Sequence, residues 1–60
     1  MGEKLKAARL AAGLTQVQLA EKAGCIQRDI SDWENGKREP VASTLKKLAQ
    51  AIGCSMDDLV

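Results

Sequence analysis

The residues with the clearest chemistry lie in the middle of the chain, in the stretch AGCIQRDISDWENGK. It carries an adjacent amide and guanidinium, Gln27 and Arg28, and each can form the paired hydrogen bonds that single out one base edge. The same stretch holds three acids that a phosphate backbone would repel: Asp29, Asp32 and Glu34. The charges therefore leave two interpretations at this point, a base-reading surface or a helical module of another kind.

Length and composition limit the classes of protein that fit. Sixty residues allow one small domain, assigned here to 1–60, and a chain of this length is marginal without good packing. The net charge of +1 is too small for a protein that relies on general attraction to nucleic acid. Trp33 is the only aromatic residue, so base-stacking modes of single-strand or RNA binding lack their platforms.

The two cysteines, Cys25 and Cys54, each follow a glycine that is placed to end a helix. We interpret both as small buried hydrophobes and leave a disulfide between them open. With no histidine in the chain, neither a structural zinc nor Cys-His catalysis is expected. No secretory signal segment or long apolar run is evident. We therefore expect a cytoplasmic protein that is not an enzyme, with no membrane contact, metal, cofactor or small-molecule ligand.

Glycine, proline and helical spacing divide the chain into short helices, and no strand pattern is present. Two capping boxes are predicted, Thr15 with Gln18 and Ser55 with Asp58. The apolar faces of the segments include Ala12, Ile26 and Leu59. The predicted fold is all-α, a compact bundle of five short helices within 2–13, 15–24, 26–36, 41–53 and 55–60.

The second and third segments have the spacing of a helix-turn-helix, at about residues 15–36. Ala20 is small where one helix must cross the next. Gly24 permits the positive φ of a tight turn, and Ile30 returns the second helix to the core. In such a pair the first helix lies across the backbone and the second enters the major groove of DNA.

Three stretches, GLTQVQLAEKAG, DISDWENGKREP and LKKLAQAIGCSMDDLV, resemble the phage-repressor and Cro-like helix-turn-helix family, also called the XRE family. The resemblance covers nearly the whole chain from Glu3. It implies a lambda-repressor-like DNA-binding domain that binds double-stranded DNA at a specific sequence. The implied role is that of a transcriptional regulator or an isolated or engineered DNA-binding module.

The resemblance also implies which side chains read bases. The candidates are Gln27, Arg28 and Asp32, with Ile26 and Asp29 at the start of the recognition helix. Ile26 departs from the serine or threonine cap of the family. It meets a thymine methyl or staples onto a neighbouring helix, and the sequence leaves both open. Each aspartate either reads a base or has a plainer role, helix-dipole stabilisation for Asp29 and a solvated face for Asp32. As readers, they would trade general affinity for discrimination.

Further roles follow from the resemblance. Arg9 pairs with Glu34 at the edge of the bundle, Trp33 packs in the core, and Gln16 contacts a phosphate and braces the recognition helix. The side chains and backbone N–H groups of Asn35, Gly36 and Lys37 clamp a phosphate. The remaining implied phosphate contacts are Arg38, Ser43 and Thr44, although Val41 replaces the usual polar cap before the last two.

A second class of function competes with DNA binding. The fold can serve as an antitoxin-like protein–protein interaction module, and the near-neutral charge with apolar Leu10 and Val17 on predicted surfaces favours that alternative. The sequence leaves open whether a monomer or a homodimer acts on DNA. It also leaves open whether the chain is an isolated DNA-binding domain, a truncation or an engineered module.

Overall fold

Four α-helices and one 3-10 helix account for most of the chain. The computed structural model describes residues 2–60: α1 (Gly2–Ala11), α2 (Gln16–Ala23), α3 (Gln27–Glu34), α4 (Ala42–Ile52) and a C-terminal 3-10 helix (Met56–Leu59). The all-α prediction is confirmed. Of the five short helices predicted, only four are α-helices, and the last is a four-residue 3-10 helix, a short element of tighter geometry. Within residues 2–60, no helix is long and apolar enough to cross a bilayer.

Local hydrogen bonds and one glycine set both ends of α2 and the turn into α3. At the start of α2, the Thr15 hydroxyl accepts from the Gln18 N–H at 3.1 Å, and the Gln18 side chain accepts from the Thr15 N–H at 2.9 Å. This confirms the predicted capping box. At the other end Gly24 has a φ of 74°, and its N–H donates to the carbonyl of Ala20. The left-handed glycine ends α2 and redirects the chain into α3.

The core draws on every helix. Helix α2 packs against α3 and α4, whereas α1 packs against α3 and the 3-10 helix. Ala12 and Ile26, predicted on apolar faces, are instead exposed, because α1 ends at Ala11 and Ile26 precedes α3. Among residues 2–60, ten hydrophobic residues are buried: Leu5, Leu19, Ala20, Ala23, Ile30, Trp33, Leu45, Leu48, Ala49 and Leu59.

A close approach at Gly2 holds α1 against the C-terminal end of α3. A Cβ atom at this position would overlap the carbonyl oxygens of Trp33 and Glu34. Only glycine therefore lets the two backbones meet at this distance. The sequence alone gave no sign of this contact, because Gly2 stands outside any turn or cap motif.

Candidate nucleic-acid interface

A buried ion pair joins α1 to the end of α3. The Arg9 Nε atom lies 2.6 Å from Glu34 Oε2, and Arg9 Nη2 lies 3.1 Å from Glu34 Oε1. The two side chains are only 8% and 3% exposed. Arg9 Nη1 also donates to the carbonyl of Leu14 at 2.8 Å. The charges are thus paired and hydrogen-bonded, as burial requires.

Two glutamines extend this pair to the surface of α3. The Gln16 Nε2 atom donates to Glu34 Oε1 at 3.2 Å, and Gln27 Nε2 donates to Gln16 Oε1 at 3.4 Å. A carboxylate can only accept, so Gln16 must turn its NH₂ group towards Glu34. Its carbonyl then faces Gln27, which must donate. The Glu34 carboxylate, which Arg9 holds in place, thereby sets the orientation of the Gln27 amide through Gln16. Gln27 is one of the residues predicted to read bases.

The N-terminus of α3 lacks a side-chain cap. Ile26 occupies the cap position with extended φ and ψ and makes no capping hydrogen bond. Its side chain is 61% exposed, so the structure does not support the interpretation as a staple onto a neighbouring helix. Gln27 and Arg28, next along the chain, are also exposed. The first turn of α3 therefore presents an apolar, an amide and a guanidinium side chain side by side.

Restoring a polar cap should stabilise the domain. We expect Ile26→Ser to raise the free energy of unfolding by about 1 kcal/mol, because the serine oxygen can accept from an unsatisfied N–H in the first turn of α3. Urea unfolding followed by circular dichroism measures the change. Ile26→Ala, which shortens the exposed side chain without providing an acceptor, is the matched control. Equal stability of the two variants would contradict the prediction.

Three charged side chains form a cluster on the outer face of α3. Arg38 Nη2 lies 2.5 Å from Asp29 Oδ1, and Arg38 Nε lies 3.2 Å from Asp32 Oδ2. The hydrogen bond to Asp29 raises the pKa of the Arg38 guanidinium, and the charges of both carboxylates act in the same direction. The guanidinium carbon is also 6.0 Å from the Trp33 ring centroid. This cluster, absent from the sequence-based prediction, borders a shallow concave surface together with Ile26 and Arg28.

The loop after α3 differs from the predicted phosphate clamp. The N–H groups of Asn35, Gly36 and Lys37 donate to the carbonyls of Ser31, Trp33 and Asp32. Gly36 adopts a φ of 75° in this turn, and the bond from Lys37 to Asp32 completes a helix-ending motif. The prediction that these backbone N–H groups hold a phosphate is corrected here, because they already terminate α3. The side chains of Asn35 and Lys37 remain exposed.

The start of α4 has donors without a side-chain cap. Val41 occupies the cap position and makes no side-chain hydrogen bond to the helix. The first-turn N–H groups of an α-helix have no intrahelical partner, and they favour an anion at that end. Ser43 is exposed and Thr44 half-buried at this terminus. Their geometry is compatible with the predicted phosphate contacts.

The two cysteines pack against the core and are not paired with each other. Cys25 and Cys54 are both free thiols and partly buried, and each packs against the core. Burial raises the pKa of both thiols, with smaller contributions from Asp29 for Cys25 and from Asp58 for Cys54. Protonated thiols are poor nucleophiles, in keeping with their interpretation as small hydrophobic residues.

The glycine turn between α2 and α3, with an exposed polar face on the second helix, defines a helix-turn-helix protein. A family model described as helix-turn-helix matches residues 5–59. The chain belongs to this helix-turn-helix family.

Comparisons of sequence and of fold each identify similar proteins. The immunity repressor protein of Bacillus phage phi105 is 40% identical over 60 residues, which are all of this chain and 42% of that protein. The restriction-modification controller protein C.AhdI of Aeromonas hydrophila superposes with a TM-score of 0.94 at 30% identity, covering 98% of this chain and 86% of the controller. The P22 c2 repressor, in complex with synthetic operator 9T, has a TM-score of 0.91 at 34% identity and covers 98% and 89%. This chain thus spans less than half the length of the phi105 repressor.

Proposed function

We propose that this chain is the DNA-reading domain of a transcriptional regulator and binds double-stranded DNA at a short specific sequence. Helix α3 enters the major groove, and α2 lies across the sugar-phosphate backbone. The observation that carries the proposal is the hydrogen-bonded chain from Arg9 to Gln27, which holds a base-reading amide in one orientation at the exposed start of α3. A solved relative with this fold is bound to an operator.

The base-reading roles fit the first turn of α3. Gln27 donates one of its two Nε2 hydrogens to Gln16. The other Nε2 hydrogen remains available for adenine N7, and the Oε1 atom can accept from adenine N6. Arg28 has no partner among the ion pairs of residues 2–60, so its fork is available for guanine O6 and N7. Exposed Ile26 offers an apolar surface to a thymine methyl.

Phosphate contacts would flank this helix on both sides. Gln16, Asn35 and Lys37 contribute through their side chains, and Gly36 shapes the turn that positions them. Ser43 and Thr44 add hydroxyls at the uncapped start of α4. A single copy of the domain would cover about half a helical turn of DNA, and two copies would bind half-sites one turn apart.

Binding to a randomised duplex library at about 50 mM and 200 mM salt tests the proposal. We expect the bound pool to be enriched in a motif of a few base pairs. The affinity should fall as salt rises, because each neutralised phosphate contributes about 0.9 to the slope of log affinity against log salt. A bound pool without an enriched motif, together with salt-independent binding, would instead direct attention to a protein partner.

A protein-interaction function receives no specific support. Leu10 and Val17 are exposed as predicted, but they lie on two different helices. Exposed apolar residues that occur singly are ordinary on protein surfaces.

A further inference from the structure

The cluster of Arg38, Asp29 and Asp32 changes the role of its arginine. We propose that the two aspartates withhold Arg38 from the DNA backbone and thereby lower the affinity for non-cognate DNA. The inference rests on the proposed function and names Arg38 as a residue that sets the affinity for non-cognate DNA. It replaces the sequence-based interpretation of Arg38 as a simple phosphate contact.

The shape of the chain makes the cluster possible. Asp29 and Asp32 are three residues apart in α3, so their side chains lie on the same face. The left-handed turn at Gly36 then reverses the chain and returns Arg38 alongside that face. Arg38 Nη2 and Nε each point at a different carboxylate, at 2.5 Å and 3.2 Å. One guanidinium therefore bridges two acids.

The charge of the cluster opposes phosphate binding. One cation paired with two anions leaves the group with a net negative charge, so a phosphate that approaches Arg38 also meets both carboxylates. Because the Arg38 side chain is 53% exposed, it is free to turn towards the backbone once the acids no longer hold it. Exposed ion pairs are weak enough to exchange partners.

Such competition acts chiefly on binding without sequence readout. The affinity for non-cognate DNA comes almost wholly from the neutralisation of phosphates by Lys and Arg. An arginine that is held by acids neutralises no phosphate, so this affinity is lower. With nine Lys and Arg residues against eight Asp and Glu, the chain has a net charge of only +1, so an arginine withheld by acids lowers a general attraction to DNA that is already small. The acids thus act as a repulsive element that disfavours the wrong partner.

The test compares one substitution in two backgrounds on a duplex of random sequence. Arg38→Gln is made in the unmodified chain and in an Asp29→Asn, Asp32→Asn variant, which keeps the shapes of the side chains. We expect no change in salt slope in the unmodified chain, where Arg38 touches no phosphate. In the variant without acids, we expect Arg38→Gln to reduce the slope by about 0.9, the value for one lost phosphate contact.

Controls separate this result from general charge effects and from misfolding. Lys6→Gln removes the same charge from an exposed position of α1 and should have the same small effect in both backgrounds. Thermal melting checks that every variant is folded. If the double variant melts early, Asp29→Asn alone replaces it, because Asp29 makes the shorter contact to Arg38, and a change in the same direction is expected.

The alternative outcomes are distinct. An equal loss of slope on Arg38→Gln in both backgrounds would make Arg38 an independent phosphate contact, and no loss in either would place it off the DNA. Both overturn the inference and leave the proposed function intact. If the unmodified chain binds no duplex at any salt concentration, the inference and the proposed function are both overturned.

Discussion

Glu34→Ala is expected to lower the free energy of unfolding by about 3–5 kcal/mol, the cost of leaving a buried charge without its partner. Arg9 would keep its bond to the Leu14 carbonyl but lose both contacts to the carboxylate. A domain of this size has a total stability of only about 3–9 kcal/mol. The variant should therefore be partly or largely unfolded at 25 °C. Urea unfolding followed by the fluorescence of Trp33, the only tryptophan, measures the loss.

Two further variants show whether the loss comes from the unpaired charge. Glu21→Ala removes an exposed acid from α2 and should change the stability by less than about 0.5 kcal/mol. Combining Arg9→Met with Glu34→Leu replaces both charges by apolar groups of similar size, which is often neutral for a buried pair. If Glu34→Ala were as mild as Glu21→Ala, the pair would not hold α1 against α3.

The elements that a local signal controls were predictable from the sequence. Thr15 with Gln18 fixed the start of α2, and Gly24 fixed its end, because a capping box and a left-handed glycine act within a few residues. The apolar spacing correctly placed Ile30 and Leu59 in the core, because helical periodicity is also a local signal. Even the last element was located correctly, although its type was wrong.

What the sequence did not predict depends on where a helix begins and on contacts that form only in the folded chain. Ile26 continues the helical spacing of Ile30 and Trp33, yet it lies before the first turn of α3, where its side chain points into solvent. The cluster at Arg38 needs the turn at Gly36 and a particular side-chain conformation. Neither is encoded in the spacing of charges along the sequence. The overlap that a side chain at Gly2 would cause likewise exists only once α1 and α3 have packed.

The second large effect is expected on the affinity for DNA when Gln27 is replaced. Gln27→Ala should weaken binding to the selected site by about 1–3 kcal/mol, the value of one good two-bond contact to a base. Binding to random DNA should hardly change, because an uncharged amide neutralises no phosphate. Gln50→Ala, which removes an exposed glutamine from α4, is the matched control. Equal losses on selected and random DNA would remove Gln27 from the set of base readers.

Gln16 supplies a finer test of the same contact. The hydrogen bond from Gln27 to Gln16 fixes the orientation of the Gln27 amide. Gln16→Ala should therefore relax the preference at the base pair that Gln27 reads. The freed amide can present either its oxygen or its nitrogen to a base edge. Selection from the randomised library reports this as a loss of preference at one position. If Gln16 acts only through the proposed phosphate contact and does not orient Gln27, its loss would weaken binding to all sequences equally. The base preference at this position, more than the loss of affinity, therefore decides the question. It shows whether the hydrogen bonds that run from Arg9 and Glu34 through Gln16 determine which base Gln27 reads.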